Sequence, residues 1–409
     1  MRNIVMLRTI RQSRPGKPNI AGRAALTAPV LLAGALLFPL TGCGSGSAKP
    51  SLFSTSTGTP TPMPSATPTT PVVTGNLVPP YLNKVAFISQ RNTDERGRLY
   101  VMNPDGSQVT AIKPLSHFSD LNLRYPDSHY MSADGSRFLF TFDIGTGSGS
   151  VNYFVSADGT NERNITALFD PSAATNSIGA GHVSDISMNA NGTQFVFPYY
   201  PGLGSSGNFD SLIRLVTMNA DGSARTTRYT ALANQQIFSP IFAPDGQTIY
   251  FILTTSLVDN ANVYTYTGIV YRLAPGATVP VAVTALSLKS GVNNADAVVF
   301  PELSINADGT KLAFINYVGS SDEIFVVGTD GTGLTRLTTN AALDASPSFT
   351  TDGLKIIFTS YRDGNAELYS INPDGTGETR LTYEIEPDTY PATRAKKAAS
   401  AASRKAVSR

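Results

Sequence analysis

The chain has a single cysteine, Cys43, in 409 residues, so no disulfide can form within it. Histidine is nearly as scarce. Only His117, His129 and His182 occur, at a spacing that matches no compact metal-ligand motif. There is no glycine-rich phosphate loop, no paired-cysteine metal motif and no G-x-S-x-G elbow, so the chemistries that depend on them have no foothold here. The Asp-Gly pairs that recur along the chain lack the alternating acidic ligands of a calcium loop. Acids are absent from both ends. All 30 lie between residues 81 and 390, against 18 Lys and Arg, which gives that region about −12 inside a net charge of +1.

No hydrophobic run is comfortable as a membrane span. The apolar stretch from Ala24 to Leu40 is short, is interrupted by Pro29 and Pro39, and follows six cations (Arg2, Arg8, Arg11, Arg14, Lys17 and Arg23), which is the layout of an export signal. It ends in Leu40-Thr41-Gly42-Cys43, which resembles a bacterial lipobox. The resemblance implies a signal peptide over 1–42, lipid attachment at Cys43, and an outer membrane facing the periplasm or a cell surface as the location, since Gly44 is not the Asp of inner-membrane retention. Residues 43–80 are rich in Ser, Thr and Pro and cannot bury a core. They read as a tether that reaches on the order of 100 Å if extended at about 3.1 Å per residue. Residues 394–409 read as a basic disordered tail with six cations and no acid, counting Arg394.

What the chain has in abundance is repetition. The segments LSINADGTKLAFINYVGSSDEIFVVGTDGTGLTRLT and PSFTTDGLKIIFTSYRDGNAELYSINPDGTGETRLT write one pattern twice, and Gly309/Gly353, Gly331/Gly375 and Leu337/Leu381 are each 44 residues apart. Each unit holds four short runs of β-branched and aromatic residues separated by Asp-Gly or polar turns, which predicts an antiparallel meander. The run KIIFTS is apolar on both faces and needs cover on two sides. Six such units are found, with a Phe in one register: Phe87, Phe140, Phe197, Phe251, Phe314 and Phe358. Six four-stranded units covered on both faces predict an all-β, six-bladed β-propeller over residues 81–393. Asp388 and Pro391 repeat Asp344 and Pro347 44 residues on, while the first unit lacks a first strand. The C-terminal strand near Tyr390 to Thr393 should therefore complete the blade begun by Lys84 to Ser89.

The last unit resembles the WD-like repeat of TolB-type β-propellers in its D-G, F-x-S-x-R-D-G, L-Y-x-x-N-x-D-G and R-L-T elements. TolB itself carries an α/β domain before its propeller, for which the N-terminal segment here has no room. The resemblance implies that first-to-second and third-to-fourth strand turns share one face. The second-to-third loops and the crossovers between blades share the other. On that second face DIGTGSGS, YYPGLGSSGNFDS and TTSLVDNANVYTYTG are long, and they bring Tyr199, Tyr200, Tyr264 and Tyr266 as candidate contact residues outside the strands. All three histidines are expected in crossovers on the same face, His182 among the candidate binding residues. Arg91 and Arg362 occupy the S-x-R position of their blades, where they either clamp neighbouring loops or line the channel mouth. The expected function is a lipid-anchored, non-catalytic envelope module that binds a protein or a glycan, without cofactor, metal or nucleic acid. The alternative is a propeller lyase or hydrolase acting on polysaccharide or peptide, with His117, His129 or His182 as bases or metal ligands.

Overall fold

The computed structural model describes residues 83–91, 98–112, 126–132, 135–143, 150–156, 161–169, 182–183, 185–200, 212–258, 264–288 and 302–392. Cys43, His117, the expected signal and tether, and the basic tail lie outside them.

The strands form six antiparallel sheets. In chain order, the first blade holds β1 (Val85–Ser89), β2 (Arg98–Met102) and β3 (Thr110–Ala111). The second holds β4 (Pro126–Met131), β5 (Arg137–Asp143), β6 (Ser150–Ser156) and β7 (Arg163–Asn164), followed by the one-turn helix α1 (Thr166–Phe169). The third holds β8 (His182–Val183), β9 (Ser187–Met188), β10 (Gln194–Tyr200), β11 (Arg214–Asn219) and β12 (Thr226–Thr230). The fourth runs through β13 (Gln235–Phe242), β14 (Ile249–Val258), β15 (Tyr264–Leu273) and β16 (Val281–Ser287). The fifth has β17 (Leu303–Ile305), β18 (Lys311–Val318), β19 (Ser321–Gly328) and β20 (Thr335–Arg336). The sixth has β21 (Asp344–Phe349), β22 (Ile356–Ser360), β23 (Glu367–Ile371) and β24 (Thr379–Arg380), and β25 (Asp388–Ala392) then returns to the first blade.

Two observations make this a closed ring. The innermost strands touch in a cycle, β25 to β4 to β9 to β13 to β17 to β21 and back to β25. The hydrophobic clusters obey the same cycle, one between each pair of neighbouring blades, with the sixth blade's Ile357 and Leu368 packed among Val85, Phe87 and Tyr100 of the first. The six register-locked Phe are all buried, and five pair across strands with an aromatic residue. Their ring centroids lie 5.8 Å apart for Phe87–Tyr100 and 6.0 Å for Phe314–Phe325. Each buried Phe contributes about 1.5–3 kcal/mol, so repetition of this one position is a large part of what selects the ring.

Closure follows the expectation: β25 pairs antiparallel with β1, Ser89 opposite Asp388 and Ala86 opposite Ala392. Because β1 enters from the side of the Asp-Gly turns, β25 exits on that side. There the Thr351 hydroxyl donates to Asn83 Oδ1 (2.6 Å), and the Lys84 ammonium donates to Gln108 Oε1 (3.0 Å) and to Asn103. At Gly106 glycine is required by a neighbour as well as by positive φ. A Cβ on Gly106 (φ 84) would stand 2.8 Å from the Leu381 carbonyl of the next blade. In four third-to-fourth strand turns an Asp takes both the N–H and the hydroxyl of the Ser or Thr two residues on, as Asp374 does from Thr376 (2.9 and 2.7 Å). These bonds hold the four carboxyls below their ordinary range.

The inner strands bulge at a recurring place. Ser239, Ser346 and Tyr390 have positive φ, each precedes a proline, and the pairing register slips there. In the third blade Asp185 (φ 50) does the same without a proline, and the first strand is split into β8 and β9. That blade therefore departs from the expected four continuous strands.

Candidate binding face

On the face opposite the Asp-Gly turns, the second strands of the first and sixth blades end in the same three-residue device, Ser89-Gln90-Arg91 and Ser360-Tyr361-Arg362. The chain leaves the sheet there and folds the arginine back over the aromatic pair below. The Arg91 guanidinium carbon lies 4.7 Å from the Tyr100 ring centre, and that of Arg362 lies 4.4 Å from Tyr369. Their Nε atoms donate to Ser89 Oγ (2.7 Å) and Ser360 Oγ (2.8 Å). Their Nη2 atoms reach a buried first-strand carboxylate, Asp388 at 2.7 Å and Asp344 at 3.3 Å. A second, more exposed acid completes each set, Glu384 at 3.4 Å from Arg91 and Glu378 at 2.7 Å from Arg362. Both arginines are clamps that tie the second strand of a blade to its first.

The four candidate tyrosines lie in strands, not in the long loops where the sequence places them. Tyr199 and Tyr200 end β10, opposite Arg214 and His182 respectively. Tyr264 and Tyr266 open β15, opposite Val258 and Ser256 of β14. Tyr199 is half-buried against the core between the second and third blades, with the Arg225 guanidinium 4.4 Å from its ring centre, so it supports the fold. Tyr266 is half-buried; the side chains of Tyr200 and Tyr264 are outside the description. Two histidines are also relocated from crossovers to inner strands, His129 opposite Phe140 in β4 and His182 in β8. Among the described residues no group of three or more His, Cys, Asp or Glu is placed to hold a metal.

Sequence reasoning missed a set of exposed apolar side chains around the short loop from Tyr361 to Asn365. Ile385 is 92 % exposed and Tyr361 39 %, with Leu343 and Tyr383 also exposed. The backbone holds them together. The Tyr361 N–H donates to the Leu343 carbonyl (3.1 Å), and Asn365 Nδ2 donates to the carbonyls of Glu384 (2.9 Å) and Ile385 (3.3 Å). Tyr383 lies under the Arg380 guanidinium (4.6 Å), whose Nη1 is 3.2 Å from Asp363. The sequence signal was there: in T-Y-E-I-E-P-D, Ile385 stands between two glutamates in a connection too short to bury it.

Comparison with known proteins agrees with the repeat. Residues 205–405 match the family PD40, TolB beta propeller domain. No curated protein matches the chain. Among solved structures, TolB from Acinetobacter baumannii aligns with a TM-score of 0.53 at 16 % identity, over 77 % of this chain and 67 % of its own. A putative TolB from Agrobacterium tumefaciens aligns with a TM-score of 0.47 at 13 % identity, over 76 % and 93 %. An oligogalacturonate lyase in complex with manganese aligns with a TM-score of 0.41 at 12 % identity, over 74 % of each chain. At such identities the first likeness is one of fold alone, and the two with TM-scores under 0.5 carry no argument. With the sequence repeat, the cyclic order of inner strands and the matched domain in agreement, the chain is built on a six-bladed β-propeller, of which residues 205–405 match the TolB beta propeller domain.

Proposed function

We propose that this protein is a lipid-anchored module of the bacterial envelope that binds a protein or glycan partner through the crossover face, without catalysis. The observation that carries the reading is the division of labour on that face. Arg91 and Arg362 are committed to buried aspartates, whereas Leu343, Tyr361, Tyr383 and Ile385 stand exposed together on loops beside those clamps. Exposed apolar side chains on a rigid base suit recognition, and a few aromatic or aliphatic anchors commonly dominate such contacts. The lipobox-like Leu40-Thr41-Gly42-Cys43 and the proline-rich tether support an anchored location, with the outer membrane facing the periplasm, or the cell surface, as its place.

One crosslinking experiment in intact envelopes tests both parts. The wild-type chain should sediment with membranes after a high-salt wash and capture a discrete partner, protein or saccharide. Tyr361→Ser with Ile385→Ser should lower capture about tenfold or more while the protein stays membrane-bound. Thr376→Ala, on the opposite face, should change neither. Cys43→Ser should release a folded protein. A Cys43→Ser variant that still sediments removes the anchor from the proposal. Undiminished capture by the double variant removes the face.

A further inference from the structure

The joint that closes the ring is a copy of the joint inside the sixth blade, with one residue changed in character. In the sixth blade Asp344 is fully buried and receives two donors, Arg362 Nη2 (3.3 Å) and Asn340 Nδ2 (2.5 Å). Forty-four residues on, Asp388 is equally buried and receives Arg91 Nη2 (2.7 Å), but the place of Asn340 is taken by Glu384. An amide donor has become a carboxylate. Glu384 draws on the same Arg91 at 3.4 Å, and Asp388 Oδ1 has no hydrogen-bond partner. The Asp388 N–H donates to the Ala366 carbonyl (2.8 Å), which sets its carboxyl beside Glu367. One guanidinium therefore serves both Asp388 and Glu384 at the seam where the two ends of the propeller meet.

The groups around Asp388 can be taken element by element. From β1 and the residues after it come Ser89 and Arg91; from β23, Glu367, itself paired with Arg380 of β24 (3.0 Å). From the segment leading into β25 come Glu384 and Glu386; from β21, Asp344 with Arg362 of the loop after β22. From β4, the next inner strand, the sequence supplies Asp127 and His129, whose side chains lie outside the described residues. Acids outnumber bases in the immediate shell.

We propose that the β25–β1 seam is a proton-dependent latch: the ring is held closed most firmly when Asp388 is protonated, and the seam loosens as that proton leaves. A neutral Asp388 relieves the repulsion with Glu384 and Glu367, lets the unpartnered oxygen carry the proton, and leaves Arg91 to Glu384. Burial first, with Glu367 and Glu384 adding to it, pushes the Asp388 carboxyl from 3.8 up to about 6 against the pull of Arg91 and Ser89. The direction follows from linkage. Between these two values the closed ring holds a proton that an opened, solvated β25 does not, so closure strengthens as pH falls through about 6 and weakens as it rises. The envelope outside the cytoplasm is where pH varies, and under the anchored reading the latch would meet that variation. The latch itself rests only on the seam.

The test is hydrogen exchange on the full-length chain, corrected for the intrinsic chemical rate, comparing the backbone amides of β25 with those of β21. From pH 5 to 7.5 the opening of β25 should increase about tenfold, and that of β21 less than about twofold. Glu384→Asn, which installs the sixth-blade residue at a half-exposed position, should remove most of the β25 response and raise protection at pH 7.5. Asp388→Asn should flatten the response entirely if that variant folds; Glu384→Asn decides the matter if it does not. A β25 response no larger than that of β21, or an undiminished response in Glu384→Asn, overturns the proposal.

Discussion

The sixth and second blades fasten their outer edges in different ways. In the sixth, Glu367 at the start of β23 is fully buried and takes the Thr382 hydroxyl (2.5 Å) and Arg380 Nη2 (3.0 Å), while Thr382 Oγ1 accepts the Leu368 N–H (2.9 Å). The fifth blade repeats this with Glu323, Thr338 and Arg336. In the second blade the pairing register puts Val151 where Glu367 stands and Asn164 where Arg380 stands, and only the threonine is kept. Thr166 Oγ1 accepts the Asn152 N–H (2.8 Å), and Asn164 Oδ1 accepts the Thr166 N–H (2.9 Å). The charge is optional and the hydroxyl-to-backbone bond is shared. Such a blade edge needs its backbone donor satisfied; a buried ion pair is one way of building around that requirement.

The largest effect should come from breaking the charged version halfway. Glu367→Ala leaves Arg380 and Thr382 without their buried partner and should destabilise the propeller by about 3–5 kcal/mol in denaturant unfolding. Next come Thr382→Val and Thr166→Val, which each leave a backbone N–H unpaired and should cost about 1–3 kcal/mol, the former more because Glu367 also loses a donor. A silent Thr166→Val would show that the neutral edge is fastened some other way. The smallest effect is expected from the transplant Glu367→Val with Arg380→Asn, which writes second-blade chemistry into the sixth and should stay within about 1 kcal/mol of the starting protein. A double variant as unstable as Glu367→Ala would make the charge a requirement of that blade, measurable as the missing coupling in the cycle.

Much of this was legible in the sequence because the repeat supplies its own ruler. The Phe register and the S-x-R positions come from aligning the units on their Asp-Gly turns, and the closing strand from residues 44 apart, and each has a local physical cause. The tyrosine rim was misplaced because TTSLVDNANVYTYTG reads as a polar loop, yet Thr254 to Val258 and Tyr264 to Gly268 pair with each other in unbroken register. Strands whose two faces are both partly polar lose the alternation that marks them, and only the partner strand reveals them. The split between β8 and β9 was hidden for a similar reason, since nothing local in V-S-D-I-S-M announces a positive φ at Asp185. The exposed set around Ile385 was overlooked because loop length drew attention to other blades.

The common exit of Asn83 and Ala392 on the turn side has a topological consequence. Ala86 and Ala392 are cross-strand partners, so Ala392 lies about one inter-strand spacing, about 5 Å, from a residue only three positions after Asn83. A linker of a few residues from Ala392 to Asn83 would join them without disturbing either strand, and new ends could be cut at Gly364, whose loop lies on the far side. In that permuted ring the first blade would be a continuous hairpin, the sixth would become the seam, and whatever precedes the propeller would hang it by the opposite face.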